Sequence, residues 1–491
     1  AMHALYPSDP KFGALVVPSG KGGAPAPCEW DTFGAHDPSV IEADGWFYVF
    51  STGAFGQDYY QIRRSRDMIH WEYVGQAFPQ GLSSLREMTR ELFALYGKES
   101  KNTTLWAPDV VPAKGGGYWL YGCYTAKFGD NYSAIFLAHA DAVAGEYRFV
   151  RTLVLSGGAW GRTPNAIDPQ IFYDAAGRMF MTYGSWHGGI RILELDPETG
   201  SRLDGFTYAQ LRAGKVTEEQ YFGRKLTETS SAEGSVMAYH AEVPVCGGDP
   251  FAAEDAAKWS RIPRYVLVAS CDDLARAYNM RCWESAQPDR GFGAHPYGRE
   301  GMKVASSFSW NYSASERRAP LDFFAAGHND LFTSSAGDHF VVFHACSPCP
   351  EGKKPVPFYL CACLYDFNSR GELVMNPNRY AGERLRDVTE EELCSLSGGA
   401  FDYIAQEARN DRCAFAKRGL RLERGGALTL GGSPCGRWKL YGGHYIALEW
   451  NGERYFGVVF PAWIEAAGRA GLSVSARGES SHLPLFLNTA W

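Results

Sequence analysis

The sequence predicts an all-β protein: a five-bladed β-propeller followed by a smaller C-terminal β-domain of barrel or sandwich-like type. A short polar cue precedes the same strand, tight turn and aromatic strand five times along the chain. Aromatic residues make up 14% of the chain, and its 55 Gly and 26 Pro supply the turns that many short strands need. Repeats of this kind stack on their neighbours, and a closed ring leaves few exposed edges.

Each cue leads into apolar and aromatic residues on both sides of a turn, which is typical of a buried hairpin. Equivalent cues are therefore expected at equivalent places around the ring. The five copies are 35–38 into 39–50, 107–109 into 110–121, 167–169 into 170–183, 232–234 into 235–270, and 327–330 into 331–344.

The pattern divides the chain into an N-terminal lead (1–30), a propeller (31–385) and a C-terminal β-domain (386–491). Three segments exceed an ordinary blade and are predicted to lie on the rim, where they wall a cleft. Residues 81–98 have helical spacing, 203–229 are polar and partly helical, and 241–263 interrupt the fourth hairpin.

The charge of the chain limits its partners. A net charge of -7 argues against nucleic acid, because binding to phosphates requires clustered Lys and Arg. No apolar stretch is long enough to cross a bilayer, so we expect no membrane partner. A neutral polysaccharide or oligosaccharide suits this charge, and the sequence leaves the oligomeric state open.

Twelve cysteines are scattered through the chain. Their spread slightly favours free thiols in a reducing, cytoplasmic compartment, whereas a secretion signal removed ahead of Ala1 would indicate a secreted protein. Cys346, Cys349, Cys361 and Cys363 form two close pairs that could bind zinc. Free buried thiols are the preferred interpretation.

Three cues supply the carboxylates that we expect at the centre of the ring: Asp37, Asp168 and Glu233. If the cues converge, the pKa values of these buried acids must separate, so that one acid stays protonated and another stays ionised. One acid and one base are the requirement of glycoside hydrolysis. The alternative is that these residues only form turns, next to Pro or Gly. Their placement at the head of successive hairpins favours a site.

Several motifs resemble family 43 of the glycoside hydrolases, specifically its two-domain endo-α-1,5-L-arabinanases. They are residues 36–40 (HDPSV), 65–71, 105–109 (LWAPD), 165–169 (NAIDP) and 184–190 (GSWHGGI). The resemblance implies an inverting five-bladed propeller. It also implies that Asp37 is the general base, that Glu233 is the general acid and that Asp168 tunes and orients Glu233.

The resemblance further implies one central metal ion, usually calcium, held by His328 and waters. Elementary coordination chemistry would not name calcium, which prefers oxygen ligands, whereas imidazole suits zinc or nickel. Without the resemblance, a single histidine is more often a hydrogen-bonded core residue. A cation at this place would offset the repulsion between the acids.

Substrate contacts are expected from aromatic faces and hydrogen-bonding groups near the acids. Trp106 is the best platform, although most tryptophans of a propeller pack between strands. By resemblance, the other substrate-binding positions are Gly129, Asn165, Ala166, Ile167, Ser185, Trp186 and His187.

Two positions depart from the arabinanase pattern. Trp186-His187 stand where Phe-Trp is common, and Glu284 stands where an arginine is usual. The leading hypothesis is an inverting hydrolase of α-1,5-linked L-arabinofuranose chains. The alternatives are an exo-acting α-L-arabinofuranosidase or β-xylosidase of the same family, and a non-catalytic carbohydrate-binding propeller.

Overall fold

A computed structural model describes residues 32, 34–52, 60–158, 163–252, 258–293, 300–315, 321–346 and 358–491. Five antiparallel sheets form the blades of a propeller, and the C-terminal region closes into an eight-stranded barrel. The predicted fold class is confirmed. The N-terminal lead lies outside the described residues.

The first four blades are four-stranded sheets. Blade one comprises β1 (His36–Ala43), β2 (Trp46–Thr52), β3 (Gln61–Ser65) and β4 (Glu72–Gln76). Blade two comprises β5 (Trp106–Pro112), β6 (Tyr118–Thr125), β7 (Ser133–Ala140) and β8 (Arg148–Ser156). Blade three comprises β9 (Gln170–Tyr173), β10 (Met179–Tyr183), β11 (Arg191–Leu195) and β12 (Arg224–Lys225). Blade four comprises β13 (Glu233–Gly247), β14 (Lys258–Cys271), β15 (Asn279–Ser285) and β16 (Met302–Ala305).

A short strand from the C-terminal region joins the sheet of the fifth blade. Blade five comprises β17 (Phe308–Ser309), β18 (Asp322–Thr333), β19 (His339–Cys346), β20 (Tyr359–Phe367) and β21 (Leu373–Met375). The barrel begins with β22 (Ala400–Ala405), and β23 (Ala414–Phe415), which follows it in the chain, pairs in parallel with β17 of the propeller and is not a barrel strand. The other barrel strands are β24 (Lys417–Leu422), β25 (Ala427–Leu430), β26 (Ser433–Tyr441), β27 (Tyr445–Trp450), β28 (Glu453–Ile464), β29 (Arg469–Gly478) and β30 (Pro484–Thr489).

The helices are short and lie in the connections, as the spacing of 81–98 and 203–229 predicts. A 3₁₀ turn (Gly81–Leu85) leads into α1 (Arg86–Tyr96), followed later by α2 (Tyr208–Arg212), α3 (Glu218–Phe222), α4 (Glu390–Ser395) and a 3₁₀ turn (Leu396–Gly399). Helix α1 ends at Gly97, whose φ of 85° suits a left-handed C-cap. Among the described helices, none is long and apolar enough to span a membrane.

The prediction that 241–263 interrupt the fourth hairpin is wrong. Strands β13 and β14 pair from Glu233↔Ser270 to Gly247↔Lys258, broken in this segment by one irregularity between His240 and Val243. The insertion therefore lengthens the hairpin. The two strands continue beyond the core, where most of their residues are partly or fully exposed, so the pattern of a buried hairpin is absent there.

The described cysteines support the interpretation as free thiols. Cys361 and Cys363 lie on β20, fully buried in one apolar cluster, whereas Cys346 packs in another cluster with Tyr278 and Ala325. Burial raises the pKa of the Cys361 thiol to about 12, which keeps it protonated. Cys349, the fourth member of the zinc hypothesis, lies outside the described residues.

Two buried aspartates connect the first strands of neighbouring blades. Asp109 accepts hydrogen bonds from the Ser39 hydroxyl (2.6 Å) and the Ile171 amide (2.7 Å), and Asp330 accepts one from the Val40 amide (2.7 Å). Burial raises the pKa of Asp109 to about 6. Burial, together with the charge of Asp109, raises the pKa of Asp330 well above its ordinary value. These acids hold the ring together and retain their protons unusually well.

Replacing Asp330 with Asn should make the stability of the protein less sensitive to alkali. The folded wild-type protein keeps a proton on Asp330 that the unfolded chain releases near pH 4, so its free energy of unfolding falls as the pH rises towards the folded pKa. Asn keeps an oxygen acceptor for the Val40 amide without a charge. The expected difference is about 1.4 kcal/mol for each unit by which the pKa is raised.

Urea unfolding at pH 5 and pH 9 measures this difference, with the exposed Asp141→Asn variant as the control. Equal pH dependence in wild type and Asp330→Asn would contradict a proton held on Asp330.

Candidate active site

In four of the five blades the β-ladder is interrupted at the cue. Register shifts separate His36 from Ser39, Trp106 from Asp109, Glu233 from Val236 and Gly327 from Asp330. One residue at each corresponding place has a left-handed backbone: Asp37 (φ 53°), Ala107 (φ 32°), Asp168 (φ 59°), Gly234 (φ 56°) and His328 (φ 47°). L-residues adopt this conformation rarely, and bulges of this kind redirect side chains. The five cues are therefore structurally equivalent.

Asp37 lies among three imidazoles. Its Oδ1 is 3.0 Å from Nδ1 of His328, 3.2 Å from Nε2 of His36 and 3.6 Å from Nδ1 of His344. The Thr52 hydroxyl donates a hydrogen bond to the other oxygen, Oδ2, at 2.7 Å. Asp37 is only 8% exposed, so these contacts replace most of its hydration.

The charge that faces Asp37 comes from His328. Burial alone raises the pKa of Asp37, but the His328 charge and hydrogen bond, with the other imidazoles, hold it well below its usual range. Burial lowers the pKa of His328, yet Asp37, Asp168 and Glu233 together raise it to about 9. Burial lowers the pKa values of His36 and His344, which are therefore neutral at pH 7. Asp37 is thus an ionised carboxylate paired with an imidazolium.

Glu233 opens β13 and differs from Asp37 in its partners. Its Oε2 accepts a hydrogen bond from the Ser185 hydroxyl at 2.6 Å, and its Oε1 accepts one from the Tyr278 hydroxyl at 2.8 Å. Burial raises the pKa of Glu233, with a further contribution from the charge of Asp37, and these effects outweigh the two hydrogen bonds. Glu233 therefore holds a proton more readily than an exposed glutamate.

Asp168 interacts electrostatically with both of the other acids, Asp37 and Glu233. Its Oδ2 accepts a hydrogen bond from the Gly234 amide at 3.0 Å, which anchors the residue next to Glu233. Burial, then the charges of Glu233 and Asp37, raises the pKa of Asp168 to about 7. The predicted convergence of the three acids is therefore present in the structure, with the pKa of Asp37 lowered and the pKa values of Asp168 and Glu233 raised.

The predicted aromatic contacts lie at the surface near these acids. Trp106, at the start of β5, is partly buried and packs edge-on against Phe128, with ring centroids 5.9 Å apart. Phe128 is 78% exposed and precedes Gly129. Trp186 is 45% exposed, and its amide donates to the carbonyl of Ala232, the residue before Glu233.

The other predicted contact residues are less accessible. Ser185 is buried with its hydroxyl on Glu233, and His187 is half-buried, which lowers its pKa. Asn165 accepts a hydrogen bond from the Ser133 hydroxyl, while Ala166 and Ile167 pack within an apolar cluster.

Sequence reasoning missed Tyr278, His344 and Thr52 as neighbours of the acids. Thr52 and His344 lie at or near strand ends in otherwise apolar stretches, so neither carries a motif of its own. The signal available for His344 is its register, since it pairs with Gly327, the residue before His328.

The donor atoms around Asp37 permit a test of the predicted metal. In the described part of the chain, His36, Asp37 and His344 are the one group whose potential ligand atoms all lie within 4.8 Å of one another. Calcium prefers oxygen ligands, so most of its ligands here would be water or carboxylate oxygen. His328 faces Asp37 as an imidazolium, and an imidazole must lose its proton before it can bind a metal. Among the described residues the close set of ligand atoms is therefore that of His36, Asp37 and His344, and His328 could bind an ion only after losing its proton.

Comparison with known proteins identifies the family. Residues 32–357 match the glycosyl hydrolases family 43, and residues 377–485 match its C-terminal lipocalin-like domain. The chain belongs to glycoside hydrolase family 43. It is a glycoside hydrolase, as the motifs indicated.

Two arabinanases and one solved structure resemble the chain along most of its length. The extracellular endo-α-(1→5)-L-arabinanase of Thermotoga petrophila is 27% identical over 448 residues, covering 84% of each chain. Extracellular endo-α-(1→5)-L-arabinanase 2 of Bacillus subtilis is 26% identical over 467 residues, covering 87% of each. A crystal structure of the Thermotoga petrophila endo-1,5-α-L-arabinanase has a TM-score of 0.74 at 25% identity, covering 94% of this chain and 99% of that one.

One departure from the family pattern has no contact with the acids. Glu284 is buried, with Oε2 3.9 Å from Nε of Arg264, and its electrostatic neighbours include Arg477 of the barrel. Burial raises its pKa to about 8. Glu284 therefore belongs to the contact between propeller and barrel.

Replacing Ser185 with Ala should raise the pKa of Glu233, because it removes a hydrogen bond that favours the ionised carboxylate. Carbon-13 NMR of the glutamate side-chain carboxyls measures this change, with a Ser475→Ala variant in the barrel as the control. An unchanged or lowered Glu233 pKa in Ser185→Ala would contradict the contact.

Proposed function

We propose that this protein is an inverting endo-acting hydrolase of α-1,5-linked L-arabinofuranose chains. The observation that carries the proposal is that two buried acids in one site have pKa values shifted in opposite directions. The pKa of Asp37 is lowered and that of Glu233 is raised. This is the division of labour that glycoside hydrolysis needs. The names of the relatives that match most of the chain, endo-α-(1→5)-L-arabinanases, support the substrate and the mode of cleavage.

In the proposed reaction, ionised Asp37 accepts a proton from a water molecule, whose oxygen attacks the anomeric carbon. Protonated Glu233 donates its proton to the leaving glycosidic oxygen as the bond breaks. Asp168 orients Glu233 through the Gly234 amide, and the two carboxyls repel each other when both are ionised, which contributes to the raised pKa of Asp168. His328 keeps Asp37 ionised.

The sugar chain is proposed to lie across Trp106 and Trp186, with Gly129, Asn165, Ser185 and His187 around it. The exposed face of Trp186 and the Trp106–Phe128 pair suit packing against the apolar faces of a furanose ring. Ala166 and Ile167 are buried, so their contribution is to hold Asn165 and Asp168 in place.

We also propose a central cation, calcium being the candidate, held by His328 and waters. When bound, such an ion supplies positive charge that offsets the repulsion between the three acids. Its support is the convergence of these carboxylates beside a single imidazolium.

Asp37→Asn and Glu233→Gln test the assigned roles. Each should lower kcat on debranched arabinan about 10²- to 10⁴-fold, because each removes a proton-transfer group while leaving the binding surface intact. Proton NMR of the first wild-type product should show the inverted anomer. A retained anomer would exclude the role of Asp37, and unchanged rates in both variants would favour a non-catalytic propeller.

Product sizing distinguishes the endo mode from the exo alternative. Early digestion of linear arabinan should give a ladder of oligosaccharides, because an open cleft binds the chain at internal positions. Chromatography of the first products measures this outcome. Release of arabinose alone, or cleavage of xylosides in preference to arabinan, would favour an exo-acting family member.

Removal of metal tests the cation. Treatment with EDTA should lower both the activity and the melting temperature, and calcium should restore both. His328→Gln is the matched control, since its melting temperature should not respond to EDTA. A wild-type melting temperature that EDTA leaves unchanged, with no metal detected by mass spectrometry, would leave the imidazolium of His328 as the cation of the site.

A further inference from the structure

Two buried side chains connect the proposed acid to the proposed base. The Tyr278 hydroxyl donates a hydrogen bond to Oε1 of Glu233 at 2.8 Å. The Tyr278 ring stacks on the imidazole of His344, with centroids 5.7 Å apart and planes at 8°. His344 Nδ1 accepts a hydrogen bond from the Asp37 amide at 3.2 Å. A continuous chain of contacts thus runs from blade four through blade five to blade one.

Both side chains are held tightly. Tyr278 and His344 are fully buried, and Phe358 packs against His344 with ring centroids 4.4 Å apart. A Cβ on Gly327 would lie 2.3 Å from the Tyr278 ring, so glycine at this position leaves room for it. Small movements of Tyr278 are therefore resisted by its neighbours.

Packing alone does not explain why a polar residue, His344, occupies this buried position. Because Nδ1 accepts a hydrogen from the Asp37 amide, the imidazole proton is assigned to Nε2. Nε2 is buried and has no hydrogen-bond partner among the described residues. An unpaired buried N–H costs stability, so an apolar residue would pack better at this position. The hydrogen bond from the Asp37 amide to Nδ1 offsets this cost in stability.

We infer that Tyr278 and His344 are positioning residues for the hydrolysis, Tyr278 acting through Glu233 and His344 acting through Asp37. The inference rests on the proposed function, because it takes these two acids as the proton donor and the base. Tyr278 directs the Glu233 carboxyl towards the leaving oxygen. His344 fixes the strained left-handed backbone that presents Asp37.

The two roles separate when the leaving group is changed. Arabinotriose needs a proton from Glu233 to expel its leaving sugar, whereas a dinitrophenyl arabinoside expels a stable phenolate without one. A defect that acts through Glu233 should therefore appear on the first substrate alone. A defect that acts through Asp37 should appear on both, because both need an activated water.

Tyr278→Phe should lower kcat on arabinotriose about tenfold, with KM unchanged and with the dinitrophenyl arabinoside rate within about twofold of wild type. Tyr121→Phe is the matched control. Tyr121 is also fully buried, and its hydroxyl bonds the Gly200 carbonyl in a region away from the acids. It should match wild type on both substrates at a comparable loss of melting temperature.

Two substitutions separate the functions of His344. His344→Phe keeps a ring for Tyr278 to stack on but removes the acceptor for the Asp37 amide, so kcat should fall about tenfold on both substrates. His344→Asn keeps an acceptor near the place of Nδ1 but removes the ring. It should therefore behave like Tyr278→Phe, and it carries the same test if Tyr278→Phe does not fold.

Glu233→Gln and Asp37→Asn are measured alongside these variants. If both remain active on arabinotriose, the proposed catalytic roles fail and the inference fails with them. If both are inactive while the Tyr278 and His344 variants follow the Tyr121→Phe control, the proposed function stands and the positioning inference is overturned. Equal losses on both substrates in Tyr278→Phe would also overturn its action through Glu233.

Discussion

The site depends on the burial of three carboxylates beside one imidazolium. Buried charges are costly unless they are paired, and His328 can pair closely with only one acid. Asp37 takes that partner and stays ionised. Burial raises the pKa values of Asp168 and Glu233, because neither has a cation as close as His328 is to Asp37. The presence of one imidazolium beside three carboxylates thus separates their pKa values. One carboxylate is favoured in its ionised form, and the other two hold a proton more readily.

The backbone makes this arrangement possible. An uninterrupted strand would point alternate residues into the blades, whereas the left-handed residue at the start of each first strand turns the chain towards the centre. Three of these five positions hold Asp37, Asp168 and His328, and Gly234 at a fourth directs the preceding Glu233. The conformation is strained for non-glycine residues, and the surrounding hydrogen bonds, such as those to Thr52 and His344, must maintain it.

Local patterns predicted the fold and the three acids, because a repeated cue before a hairpin is visible along the chain. They could not predict contacts that depend on register between blades. Tyr278 follows a polar turn and His344 stands in an apolar strand, and neither has a motif; the pairing of strands within blade four brings Tyr278 to Glu233, and the ring closure brings His344 to Asp37. The same limit explains residues 241–263, where two long paired strands continue beyond the core and lack the buried alternation of the other hairpins. The roles of the acids remain predictions, supported by their environments.

Asp109 and Asp330 show why burial alone does not make an acid catalytic. Burial raises both pKa values, as it does for Glu233. Their oxygens, however, accept hydrogen bonds from the amides and hydroxyl of neighbouring strands, so moving either carboxyl would break the connection between blades. Glu233 instead accepts hydrogen bonds from the side-chain hydroxyls of Ser185 and Tyr278, so no pairing of first strands depends on its carboxyl. A buried acid that connects neighbouring blades is therefore structural, whereas Glu233 is free of that role.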